Sequence, residues 1–219
     1  MEIIKQTYCA VLNSLNQNAK DNFDYFCSEI QRVANEYGIA NKVTKLELIC
    51  KGNLYRNIAI SSGRVNIKNN NDKTYNFWAS CSLFVTRKER ITAIVQHELM
   101  HIKDMEDKEF KFDKELWDGL LEDKIIATSI RHIWDIYIDS RIARTSKIGI
   151  SKQDRLDGIL RLALNKNFQL RHCIWEIEDD FDYLWNIEKI DFPTIIDKAK
   201  ELKEKVANKG MAHPSEETL

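Results

Sequence analysis

Residues His97-Glu98-Leu99-Met100-His101 constrain this chain more than any other stretch. They form an H-E-x-x-H pattern inside a run, Arg87 to about Asp104, that holds no glycine or proline. Such a run predicts an uninterrupted helix. Residues four apart on a helix share a face, about 6 Å apart along the axis. Two imidazoles so placed reach one zinc ion at roughly 2.0–2.1 Å each. Glu98 is turned about 100° from His97, so it can address a water at the metal without ligating it. Val95, Leu99 and Ile102 form one apolar stripe, extended by Ile91 and Ile94, and both histidines lie beside it. The pattern predicts the centre of a zinc-dependent hydrolase. The plain alternative is two ordinary half-buried histidines on a core helix.

Composition narrows the rest. With 219 residues the chain suffices for one large domain or two small ones. Its 43% hydrophobic and 31% charged content fits a soluble globular protein. The net charge of −1 and the interspersed charges give no footprint for nucleic acid. The strongest basic run, Thr86-Arg87-Lys88-Glu89-Arg90, reads as a solvated helix start. No apolar run approaches the roughly 18–20 residues of a membrane span. Met1 to Ala10 has no apolar core of a signal peptide. Cys9, Cys27, Cys50, Cys81 and Cys173 show no C-x-x-C spacing, so reduced thiols in a cytoplasm are expected.

The pattern along the chain predicts an α+β fold followed by helices. Asn22 to Tyr37 has Phe23, Phe26, Ile30 and Val33 at helical spacing and stops at Gly38. Helix is expected before it too, through Val11 and Leu15. Strands are expected over Lys42–Lys51, within Leu54–Ile67, and most strongly over Thr74–Thr86, with a turn at Asn69-Asn70-Asn71-Asp72. Beyond a charged connector, Lys103 to Lys114, helices are expected over about Lys114–Ile126, Thr128–Thr145, Lys152–Leu164, Gln169–Ile187 and Thr194–Asn208. The expected division is 1–106, an α+β subdomain carrying the motif helix, and 107–219, a helical subdomain carrying the remaining ligand.

A catalytic zinc takes three protein ligands and keeps one open position. The third is expected from Asp135 and Asp139, four apart on one helix face among Ile133, Ile136, Tyr137 and Ile138. Carboxylates facing a core are costly unless something positive meets them. One aspartate would ligate the metal, and the other would accept the ring N–H of a ligating histidine. Glu122 or Asp123 could serve instead, and so could His132. The bland reading pairs Asp135 and Asp139 with Arg131 and Arg141.

H-E-x-x-H followed by a D-x-x-x-D helix resembles the gluzincin branch of the zincin metallopeptidases. It is most similar to CAAX-prenyl-protease-type enzymes and their soluble relatives. Asp135 falls where that family has its ligand Glu, and Asp139 falls on its Asp. Ala212-His213-Pro214-Ser215 resembles the family's H-P-S segment, where a histidine lies close to the metal. Asp135 is shorter than the Glu it replaces, the Arg closing that segment is missing, and so are the transmembrane helices. The resemblance covers about Trp78 to Ile142 plus a few later residues. It implies a zincin-like fold, Zn2+ as cofactor, a peptide or protein substrate, and an edge strand, here Thr74–Thr86, that binds substrate backbone.

The resulting expectation is a metallopeptidase with Glu98 as general base and His213, or secondarily His172, as oxyanion donor. The rival is a zincin fold without catalysis, in which His213 or His132 closes the metal shell. A milder version has the chain's last segment plugging the site. A metal-free interaction protein is a third class.

Overall fold

The computed structural model describes residues 1–6, 17–51, 63–146, 148–163 and 168–212. Among these the chain is α+β, with a small four-stranded mixed sheet and a predominance of helix. It divides into two compact units, Met1–Asp107 with Ile142–Ile150, and Lys108–Arg141 with Ser151–Leu219.

The first unit contains β1 (Glu2–Gln6), α1 (Gln17–Glu36), β2 (Lys45–Lys51), β3 (Gly63–Asn69), β4 (Thr74–Ser80) and α2 (Lys88–Met105). The strand order is β1-β2-β4-β3, with β1, β2 and β4 parallel and β3 antiparallel to β4. Alternation sets the buried face. Leu46, Leu48 and Cys50 stand in register with Tyr75, Phe77 and Ala79, and all six are buried. The intervening positions are more polar: Lys68 donates to both oxygens of Glu47 at 2.8 Å. A sheet covered on one face needs only this period-2 code.

Helix α1 closes over the apolar face. Phe26 meets Phe77 edge-on at 5.2 Å, and Phe23 meets Phe84 likewise at 5.2 Å. Each buried ring is worth about 1.5–3 kcal/mol, with roughly 0.5–1.5 more per aromatic pair. Gly38, at φ 69°, ends the helix: its own N–H bonds to Asn35 O and that of Ile39 to Ala34 O. That double bond is a Schellman motif, which favours glycine at the left-handed position.

Two expectations are corrected here, and one element is added. The first residues pair as strand β1 with β2. Helix does precede Asn22, from Gln17, while Val11 and Leu15 lie outside the described residues. Strand β4 stops at Ser80, and Cys81–Val85 is a 3-10 turn. The Ser80 side chain accepts the Ser82 N–H, and the adjacent Leu83 and Phe84 are both buried, which a one-sided strand cannot do. Finally, Thr74–Thr86 does not supply an edge strand. β4 is central and β3 is the outer strand.

The second unit contains α3 (Lys114–Leu120), most of α4 (Lys124–Thr145), α5 (Lys152–Ala163), α6 (Phe168–Asp179), α7 (Phe181–Asn186) and α8 (Phe192–Ala212). Phe110, Trp134 and Phe192 are packed together, and Phe192 N–H donates to Phe110 O at 2.8 Å. The break before α4 falls at Asp123, earlier than expected, because its carboxylate caps the helix by accepting the N–H groups of Ile125 and Ile126. The expected Gln169–Ile187 helix is two, separated at Asp180. Helix α4 ends in the first unit, where Gln96 Nε2 on α2 donates to Ser146 Oγ at 3.4 Å. Among the described residues no helix is long and apolar enough to cross a membrane.

Candidate metal centre

The motif helix α2 is buried around its whole circumference from Ile91 to Met100. Its start is fixed from α1. The Asn22 amide donates to Phe84 O at 2.9 Å and Thr86 O at 3.1 Å, and Tyr25 bonds Thr92 at 2.8 Å. These bonds hold the 3-10 turn and set where α2 enters the unit.

The spacing does what the sequence predicts. His97 and His101 bring their rings to 5.0 Å, edge to face at 76°. Each offers a ring nitrogen within 4.8 Å of the other's. Donors on one tetrahedral zinc stand roughly 3.3 Å apart, so side-chain rotation suffices to close the pair. Imidazole nitrogens suit zinc and its transition-metal neighbours, whereas magnesium and calcium favour oxygen shells. The histidine pair therefore fits the implied cofactor in chemistry and spacing.

Glu98 is 5% exposed, and its Oε2 accepts the Val65 N–H at 2.9 Å. That bond fixes the orientation of β3. In an antiparallel pair, the N–H and C=O of one residue face the same side. Val65 turns its N–H to Glu98, so Val65, Gly63 and Ile67 direct their backbone groups away from β4. The carboxylate of Glu98 thus lies along the outer edge of the sheet.

Asp135 and Asp139 lie on one face of α4, but the sequence reading missed their partner. Arg155 on α5 donates through Nε and Nη2 to Asp139 Oδ2, and Asp139 is completely buried. The same guanidinium stands 3.5 Å from Asp135 Oδ2 through Nη1. Arg131 sits over Trp117 and Arg141 over Tyr137. A serine cap places Arg155. Ser151 Oγ accepts the Asp154 N–H at 3.1 Å and donates to the Asp154 carboxylate at 2.7 Å, starting α5. The signal in the sequence was that S-x-x-D cap followed by arginine, but nothing there tied it to an aspartate sixteen residues earlier.

The other candidates fall elsewhere. Glu122 is exposed. Asp123 is occupied as the α4 cap and by Lys203 Nζ at 2.5 Å. Burial pushes its carboxyl up, but the Lys203 bond and the amides of Ile126 and Ile125 outweigh this and hold it below the usual range. His132 is buried on α4, and His172 on α6 meets Trp175 edge-on at 4.9 Å. His213 lies outside the described residues. No family model, no curated protein and no solved structure matches this chain.

Proposed function

We propose that the protein is a zinc-dependent peptidase of zincin type, with His97, His101 and Asp135 as metal ligands and Glu98 as general base. The observation that carries the reading is the layout of α2. Two histidines converge on one side of a buried helix, and the intervening glutamate is held against an outer-strand amide. Asp135 is favoured over Asp139 as third ligand because Arg155 already takes up the buried Asp139 carboxylate.

Bound zinc would supply Lewis acidity, acidifying a water at neutral pH and polarising a carbonyl. The protein's residues do the rest. Glu98 accepts the water's proton at a carboxylate oxygen and returns it to the leaving amine. The Val65 N–H fixes the aim of that carboxylate. The outward backbone groups of Gly63 and Ile67, with the Val65 C=O, provide a ladder on which an extended peptide adds as a further strand beside Glu98. Strand β3 thus takes the role first assigned to Thr74–Thr86.

The test combines metal analysis with a peptide-library assay. Wild type is expected to hold one zinc and cleave peptides. Glu98→Gln is expected to hold the same zinc and lose cleavage. Cleavage retained in Glu98→Gln, or purified protein that takes up no zinc, overturns the proposal.

A further inference from the structure

The buried ion group on α4 and α5 does more than neutralise charge. Asp139, 1% exposed in its side chain, receives two donors of the Arg155 fork, Nε and Nη2. That engagement fixes the plane of the guanidinium, itself only 6% exposed, and leaves Nη1 pointing at Asp135 Oδ2 at 3.5 Å. Asp135 is the member of the trio that reaches accessible space, with 23% of its side chain exposed. We propose that Arg155 is a positioning residue for Asp135. It holds the carboxylate from one side, so that the group is offered to a cation in a fixed orientation.

The inference rests on the proposed metal reading and deepens it. The carboxylate arm of Asp135 is short, so the direction of its oxygens matters more than for a glutamate. A free carboxylate turns about its terminal torsion with little preference. A guanidinium on one oxygen removes that freedom, and outer partners of ligating groups act in this way. Asp139 is then the anchor of the clamp. A lysine could not replace Arg155, because only a planar fork serves two carboxylates from fixed directions. The arrangement also balances charge. Two carboxylates and one guanidinium leave a single negative charge to meet a dication.

The experiment is zinc titration against a competing chromophoric chelator, with thermal unfolding of the zinc-free proteins alongside. Arg155→Gln is expected to bind zinc about 10–100-fold more weakly than wild type. Arg155→Lys is expected to fall between them. Arg155→Gln also strands the Asp139 charge and loses stability without metal. The double variant Asp139→Leu with Arg155→Met removes that charge, since an apolar pair commonly replaces a buried ion pair at no loss. It is expected to regain zinc-free stability while binding zinc as weakly as Arg155→Gln. Wild-type affinity in the double variant overturns the clamp, whether or not Arg155→Gln folds. If wild type binds zinc and the double variant matches it, the clamp alone fails. If wild type binds none, the metal reading fails and the clamp with it.

Discussion

Replacing Asn22 tests how the sheet unit sets the position of the motif helix. The Asn22 amide is 4% exposed and donates to Phe84 O at 2.9 Å and Thr86 O at 3.1 Å. In Asn22→Ala both carbonyls lose their donor. Each ordinary hydrogen bond is worth about 0.5–1.5 kcal/mol net, and a buried acceptor left unsatisfied costs about 1–3. The Phe84 carbonyl is the buried one, and water can reach the partly exposed Thr86. The expected loss is therefore about 2–3 kcal/mol in the first unit. Asn22→Asp keeps the shape but sets a carboxylate against two carbonyl oxygens, so it should cost at least as much. Trp78 is the only tryptophan of this unit, and fluorescence chiefly follows the other four. Hydrogen exchange at the α2 amides under increasing urea is the better assay. A loss below about 0.5 kcal/mol in Asn22→Ala, or an Asn22→Asp protein as stable as wild type, would refute the argument.

Other outcomes follow from the same geometry. Zinc at 100 times its dissociation constant should add about 2.7 kcal/mol to the folded state. A chelator should remove this in wild type and change nothing in His101→Ala, as read by thermal unfolding. The Asp191 carboxyl is lowered from 3.8 to about 2, first by the Lys111 ammonium, then by the Thr194 hydroxyl and amide. A depressed carboxyl adds stability that is present above its unfolded pKa and lost as pH falls through its folded one. Urea midpoints should therefore fall from about pH 4 to about pH 2, and Asp191→Asn should flatten that limb. An unchanged limb in the variant would remove Asp191 from the account.

How much the sequence disclosed follows from the range of each interaction. The α2 helix, the α1 stripe with its Gly38 stop, and the turn at Asn69–Asp72 rest on neighbours a few residues apart, and all were readable. The turn shows why. Asn69 Oδ1 accepts the Asn71 N–H and Asp72 Oδ1 the Thr74 N–H, bonds entirely within the segment. Strand β1 was not readable, because only pairing with β2, some forty residues away, makes Glu2–Gln6 extended. The 3-10 turn at Cys81–Val85 was misread because a continuous apolar run has no period to separate strand from turn. At the site, the HExxH pair depends on one turn of helix and was legible. Arg155 was not, since an arginine after a cap looks like any solvated helix position.

Helix α4 has a consequence for anyone dividing this chain. Its last turn, with the segment through Ile150, belongs to the unit that begins at Met1. Gln96 bonds Ser146, and a Cβ added at Gly149 would stand 2.9 Å from the Ile142 side chain. A fragment cut at residue 106 would therefore lack part of its own fabric, however well it carries every strand and the HExxH turn. It should be less protected from proteolysis than one extended to Ile150.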